Sequence, residues 1–281
     1  MIPVVVISLA RAADRRAVAQ ENLAGLGIAF TFFDAIEGRA MSAEAIAAIS
    51  PRPYVGQFSR PLSAGEIGCA ASFFAVLRRF LDGSEGFICI AEDDASFAPD
   101  AAHFLDPTRL ASLPPFDVLR LVNDPRRGTK LSRIVARDGG HAVHAPLRLG
   151  HFTAAQVFSR AGARAVLAGA VPLTAPIDNL MYRDAGILGL RVLEVRPPVV
   201  AMRQLPSTID DRFRENAPGP RHGPIIVLRR KLFMLDRRIR AVASYLRAWG
   251  PAAILRIRPY PGSDIAAGLS LCLAIAEMCL R

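Results

Sequence analysis

Residues 3–9, Pro-Val-Val-Val-Ile-Ser-Leu, form an almost unbroken β-branched and aliphatic run, the pattern of a strand buried on both faces. A polar cluster of Arg11, Asp14, Arg15 and Arg16 follows, then a helical stretch through Leu26 closed by Gly27. A second apolar run, Ile28 to Phe33, ends at Asp34. Strand, helix and strand at this spacing predict a βαβ unit with parallel pairing. Ser42 is placed to cap a short helix, and Pro51, Pro53 and Pro61 mark a loop. Ser63, with Glu66 three residues on, reads as a capping box opening a helix that runs to Leu81 and stops at Asp82-Gly83. Phe87 to Ala91 is a third buried strand, delivering Glu92, Asp93 and Asp94 at its carboxyl end. Strands are expected again at 117–122, 155–158 and 191–195, with a helix from Ser159 to Ala170. This alternation predicts an α/β protein with a mostly parallel central sheet, whose ligands collect beyond the carboxyl ends of the strands.

Beyond that region the pattern changes. Pro206 to Pro224 is rich in Pro, Gly and charge, and divides a main domain (1–216) from a C-terminal helical region (217–281). In the latter, Leu228, Leu232, Leu235, Ile239, Val242, Leu246 and Trp249 recur at spacings of four and three, making one apolar stripe on a helix. Arg229, Arg230, Lys231, Arg237, Arg238, Arg240 and Arg247 take the rest of the wheel. The apolar run from Ile265 to Leu280 carries Glu277 and is shorter than the ~20 residues a membrane span requires, so it is expected to pack or lie at an interface.

Charge gives this division a meaning. A length of 281 residues can bury a core without disulfides, and 52% hydrophobic content excludes a disordered or fibrous chain. The net charge of +10 admits a nucleic-acid binder, a protein at an anionic membrane, or an enzyme of acidic substrates. Residues 1–220 are nearly balanced, with 24 basic and 22 acidic side chains, whereas 221–258 hold 10 basic and 1 acidic. The excess therefore belongs to the C-terminal helix. Cys69, Cys89, Cys272 and Cys279 show neither Cys-x-x-Cys nor zinc-ligand spacing and fit a reducing, cytoplasmic setting. The N-terminus has no basic leader of a signal peptide.

Two groups could carry chemistry. Glu92, Asp93 and Asp94 are adjacent carboxylates whose repulsion favours protonation of one member or a bound cation; Mg²⁺ or Mn²⁺ on Glu92 and Asp94 would suit a substrate that brings phosphate oxygens. A solvated acidic turn is the plain alternative. At the first strand's end, Ser8, Arg11, Asp14 and Arg15 put guanidiniums where phosphate could bind and a carboxylate where ribose or base could donate. An exposed helix start with routine charge pairs explains them equally.

Taken together, the blocks Val6-Ile-Ser-Leu9 with Arg11 and Asp14 to Arg16, Phe32 to Gly38, Leu62 to Ser72 and Ile90 to Asp94 resemble glycosyltransferase family 25. The likeness continues through Ser159 to Ala163, Pro176-Ile-Asp178 and Pro197-Pro198 with Ser207 to Ile209. The resemblance implies a GT-A-type, Rossmann-like nucleotide-sugar fold and inverting transfer from a UDP-sugar, typically UDP-galactose, to a lipid-linked or cell-surface glycan. It makes Ser8, Leu9, Arg11, Asp14, Arg15, Glu92 and Asp93 donor-binding residues, and Glu92 and Asp94 ligands of Mn²⁺ or Mg²⁺. Asp178 or Glu66 becomes the base, although a helix cap explains either residue. Phe73 stands where the family usually has His, and Gln156 where an aromatic residue is common. A weakly catalytic scaffold that keeps the fold is the alternative function. For residues 225–258 the readings are an anionic membrane surface at the cytoplasmic face, packing on the protein itself and, last, nucleic acid, for which no reader motif is present.

Overall fold

The structure is a computed structural model that describes residues 1–51, 62–123, 131–138, 140–147, 150, 153–183, 188–203 and 224–259. In chain order it runs β1 (Val4–Ser8), α1 (Ala13–Gly25), β2 (Thr31–Asp34), α2 (Ala43–Ile49), α3 (Ala64–Asp82), β3 (Phe87–Glu92), β4 (Ala95–Phe97), α4 (Pro107–Ser112) and β5 (Val118–Arg120). There follow β6 (Leu131–Asp138), β7 (His141–Pro146), β8 (Ala155–Ser159), α5 (Arg160–Gly169), β9 (Val192–Arg196), β10 (Val200–Met202), α6 (Pro224–Trp249) and β11 (Arg258–Pro259).

The main sheet has the order β11-β6-β7-β9-β5-β8-β3-β1-β2. Its functional end is parallel: β1 lies between β2 and β3 and pairs with both in parallel, as the βαβ spacing requires. The sheet becomes mixed where β8 enters antiparallel to β3 and β5, and where the β6–β7 hairpin adds antiparallel strands beside β9. Side chains alternate between two cores. Cys89 and Ala91 join the core containing Ala19 and Leu23 of α1, whereas Ile88 and Ile90 join that of Phe73, Phe74 and Leu77 of α3. Both faces are thus covered, which is why these strands read as continuous apolar runs. The Ser42 and Ser63 caps form as expected, the second with both hydrogen bonds of the capping box.

One sheet face carries a row of charged groups rather than apolar ones. Arg120 Nη1 and Arg196 Nε donate to opposite oxygens of Glu194 at 3.0 and 2.7 Å, and Arg120 lies 4.4 Å from the Tyr182 ring centre. Glu194 is wholly buried. His144 pairs across from it, with Nδ1 2.8 Å from Ser132 Oγ. Burial, then the charges of Arg196 and Arg137, push the His144 imidazole down to about 4 despite the opposing pull of Glu194. Because the folded state favours neutral His144, this contribution to stability is present above the unfolded value near 6.5 and is lost as pH falls towards 4. The expected loss is roughly 2 kcal/mol after allowance for solvent screening. Urea denaturation of wild type and His144→Gln between pH 7 and 4 checks it, and parallel pH dependences would refute it.

Helix α6 divides along its length. Towards its end Tyr245 is buried, and Val242, Leu246 and Trp249 pack against the α1-side core. Further up, Leu232, Leu235 and Ile239 are more than half exposed, at 57, 51 and 57%. No helix of the described residues is long and apolar enough to cross a membrane. The domain boundary at 216/217, the 206–223 segment, Pro53 and Pro61, Cys272 and Cys279, and the apolar run 265–280 lie outside the described residues.

Candidate active site

The carboxyl ends of β1 and β3, the turn after β2 and the start of α3 enclose a cleft of about 380 Å³, a volume suited to a small ligand. Ser8, Leu9, Arg11, Arg15, Glu92 and Asp93 all line it. These predicted donor-binding residues are brought together because parallel pairing of β1 with β3 sets Ile7 opposite Glu92.

The three acidic residues have different surroundings. Asp93 is committed to the protein: Ser8 Oγ donates to its Oδ2 at 2.6 Å, and Arg15 Nε to its Oδ1 at 2.7 Å, joined by Arg15 Nη2 on the same oxygen. Asp94 has a longer ion pair with Arg15, 3.7 Å to Oδ2, and feels the charge of Arg203, while its Oδ1 is buried without a hydrogen-bond partner. Burial raises the Asp94 pKa, with Asp93 adding to the effect and Arg15 opposing it. Glu92 accepts from Thr153 Oγ1, yet burial and then the neighbouring charge of Asp94 push it up to about 7. Asp94 and Glu92 thus interact unfavourably as anions, and a divalent cation would relieve both.

That pair fits Mg²⁺ or Mn²⁺ chemically: an orphan carboxylate oxygen beside a second hard oxygen donor. Among the described residues no cluster of three or more His, Cys, Asp or Glu side chains has metal-binding geometry. Such an ion would take Glu92 from the cleft lining and Asp94 two residues on, and the remaining ligands would be water and phosphate oxygens.

Other predicted residues stand apart from the cleft lining. Asp14 is exposed on the first turn of α1 and does not line the cleft, so its expected donor contact has no support in the structure. Glu66 is buried in the capping box, accepting from Ser63 N at 2.9 Å, with Gly65 and Cys69 on either side of it reaching the cleft instead. Asp178 accepts from Asn179 N at 2.8 Å at the start of a π-helical turn, Asn179–Arg183. Its charge is felt by both Glu92 and Tyr182, which places it on the Glu92 side of the molecule.

The sequence blocks that resemble the family contain Glu37, Gly38, Cys69 and Ser72 without assigning them a role, and Arg39 lies just beyond; all five line the cleft. The rule that ligands sit at strand ends could have found Glu37, Gly38 and Arg39, since they follow directly on β2. Phe73 forms apolar lining, 1% exposed and edge-to-face with Phe158 at 6.5 Å. Gln156 is equally buried, and both its side-chain amide atoms lack partners.

A sheet covered on both faces, with a polar cleft at its parallel end and carboxylates on the third strand, defines an α/β protein with a ligand-sized cleft at its strand ends. Residues 1–136 match the model of glycosyltransferase family 25 (LPS biosynthesis protein). The lacto-N-neotetraose biosynthesis glycosyltransferases LgtB and LgtE of Neisseria gonorrhoeae are 37% identical over 105 residues and 36% over 101, in each case 36% of this chain and 35% of the relative. A glycosyltransferase 25 family member of Aedes aegypti is 30% identical over 97 residues, 33% of this chain and 16% of that protein. The matches therefore span about a third or less of these relatives' lengths. A solved glycosyltransferase involved in glycosylation of the major capsid of PBCV-1 aligns over 76% of this chain and 97% of its own at 10% identity, with a TM-score of 0.38, too loose to add to the assignment. The acidic triplet lies inside the family match; Gln156 and Asp178 lie beyond it.

Proposed function

We propose that this chain transfers a sugar from a UDP-sugar, UDP-galactose by family resemblance, to a hydroxyl of a lipid-linked or cell-surface glycan, with inversion. The observation that carries the reading is the buried, unpartnered Oδ1 of Asp94 close to Glu92, which itself lines a cleft that also presents Arg11 and Arg15. Arg11 would meet the diphosphate directly, and Arg15, held by Asp93, would add positive potential behind it. Mn²⁺ or Mg²⁺ on Glu92 and Asp94, when bound, would offset the charge that gathers on the departing UDP. Inversion is one in-line displacement: the acceptor oxygen bonds to the anomeric carbon, the bond from that carbon to the UDP oxygen breaks, and the hydroxyl proton passes to a carboxylate. Asp178 suits that role better than Glu66, whose carboxylate is spent on the helix cap. Incubation of the purified protein with UDP-galactose, Mn²⁺ and a galactose-accepting glycolipid, with UDP release as the readout, tests the reading. No release with any UDP-sugar, together with no UDP binding in calorimetry, would favour the scaffold.

Helix α6 supports placement of this activity at an anionic membrane surface. Leu232, Leu235 and Ile239 are exposed, and the segment 221–258 holds ten basic side chains to one acidic. Each cation near an anionic surface contributes about 1 kcal/mol. The packed end of the helix fulfils the other expectation for this segment, burial on the protein itself. The full-length protein is expected to float with vesicles containing anionic lipid and to stay behind with neutral ones. Replacing Leu232, Leu235 and Ile239 by Ser together should reduce the bound fraction at least about tenfold. Absence of flotation with anionic vesicles would remove the membrane assignment.

A further inference from the structure

We infer that Glu37 reads the ribose of the nucleotide, the role that sequence spacing had offered to Asp14. The inference rests on the reading that the cleft takes a nucleoside diphosphate, and it adds a recognition residue to that site.

The strand order supplies the geometry. β2, β1 and β3 lie side by side, and the cleft runs across all three carboxyl ends. At adjacent-strand spacing this distance is roughly 10 Å, about the length of a nucleoside diphosphate. With the phosphates at the Glu92 end, the nucleoside lies over β1 and β2, where a carboxylate is needed to accept from the two ribose hydroxyls. Three acidic residues are near enough in sequence to be considered. Asp14 faces solvent on α1, and Asp34 is ion-paired to Arg16 and does not line the cleft. Glu37 does line it.

Glu37 is also presented by a rigid corner. Ile36 N donates to Ser72 Oγ at 2.8 Å, and Ser72 in turn donates to Gly68 O at 2.7 Å. Gly38 rests directly on the start of α3. Across the cleft mouth Arg11 Nε and Nη2 reach the two Glu37 oxygens at 3.2 and 3.4 Å. Both side chains are substantially exposed, 65% for Arg11 and 43% for Glu37, so this pair contributes little to stability. What it does is hold an acceptor side chain at the ribose end with lone pairs to spare, beside a guanidinium that can also face phosphate.

Calorimetric titration with UDP, 2′,3′-dideoxy-UDP and inorganic pyrophosphate, each with Mg²⁺, tests the assignment. Wild type is expected to bind UDP about tenfold more tightly than the dideoxy analogue. In Glu37→Gln the UDP affinity should fall about tenfold, while the affinities for dideoxy-UDP and pyrophosphate stay within about twofold of wild type. An equal loss for UDP and dideoxy-UDP, a change in pyrophosphate affinity, or no change at all would overturn the role of Glu37 and leave the donor site standing. Wild type that binds none of the three ligands would overturn both readings.

Discussion

Asp94→Ala should lower UDP release from a UDP-sugar by about 10²- to 10³-fold, the range seen when a group that stabilises developing charge is removed. The fold should survive. Asp94 has no side-chain hydrogen bond within the protein at Oδ1, and its ion pair to Arg15 is long at 3.7 Å. What disappears is one of two hard oxygen donors, together with the charge that most strongly opposes ionisation of Glu92 after burial itself. The substitution thus separates the proposed metal-assisted departure of UDP from structural damage. Asp93→Ala, by contrast, removes the partner of Ser8 and Arg15 and is expected to destabilise the protein as well. UDP release, calorimetric Mn²⁺ binding and thermal unfolding of the same preparations provide the check. Turnover of Asp94→Ala at the wild-type rate would remove the metal assignment.

The largest stability effect is expected at Gly38→Ala. A methyl group built there lies 1.8 Å from the carbonyl oxygen of Ala64 and 2.6 Å from its carbon. Across the same contact, a methyl on Gly68 would lie 2.4 Å from Ile36 O. Backbone faces backbone, so no side chain can turn aside, and the corner after β2 must lift away from α3. The cost is about 3 kcal/mol, at the upper end for overpacking. Because this corner carries Glu37 and forms one wall of the cleft, UDP affinity should fall with stability. Urea denaturation and UDP titration test both consequences, and an unchanged denaturation midpoint would show that the corner yields freely.

Several elements could be read from the chain because their signals are local. The aliphatic runs of β1 and β3, the Ser-to-Glu capping box of α3 and the Ser159 cap of α5 each specify an element within a few residues. The β6–β7 hairpin was not anticipated. Its alternation is broken by Arg133, Arg137 and Asp138 on partly exposed positions and by a register shift between Ile134 and Ala136. β4 and β10 are three residues each, too short to leave a periodic trace, and their pairing joins Phe97 to Val200 across most of the domain. The stripe on α6 was legible as a stripe, but spacing cannot say which of its residues meet the core.

The sequence by itself determined that three carboxylates stand at a strand end, that a basic helix follows the main domain, and that the early blocks resemble one family. It determined these because strand runs, caps and charge clusters are properties of neighbouring residues. Only the tertiary structure distinguished Asp93 from Asp94, since their difference lies in Ser8 and Arg15, whose side chains reach one carboxylate closely and leave an oxygen of the other without a partner. It likewise drew Glu37 towards the cleft and left Asp14 outside, because parallel pairing of β2 with β1 brings the following turn to the strand ends while the first turn of α1 points Asp14 into water.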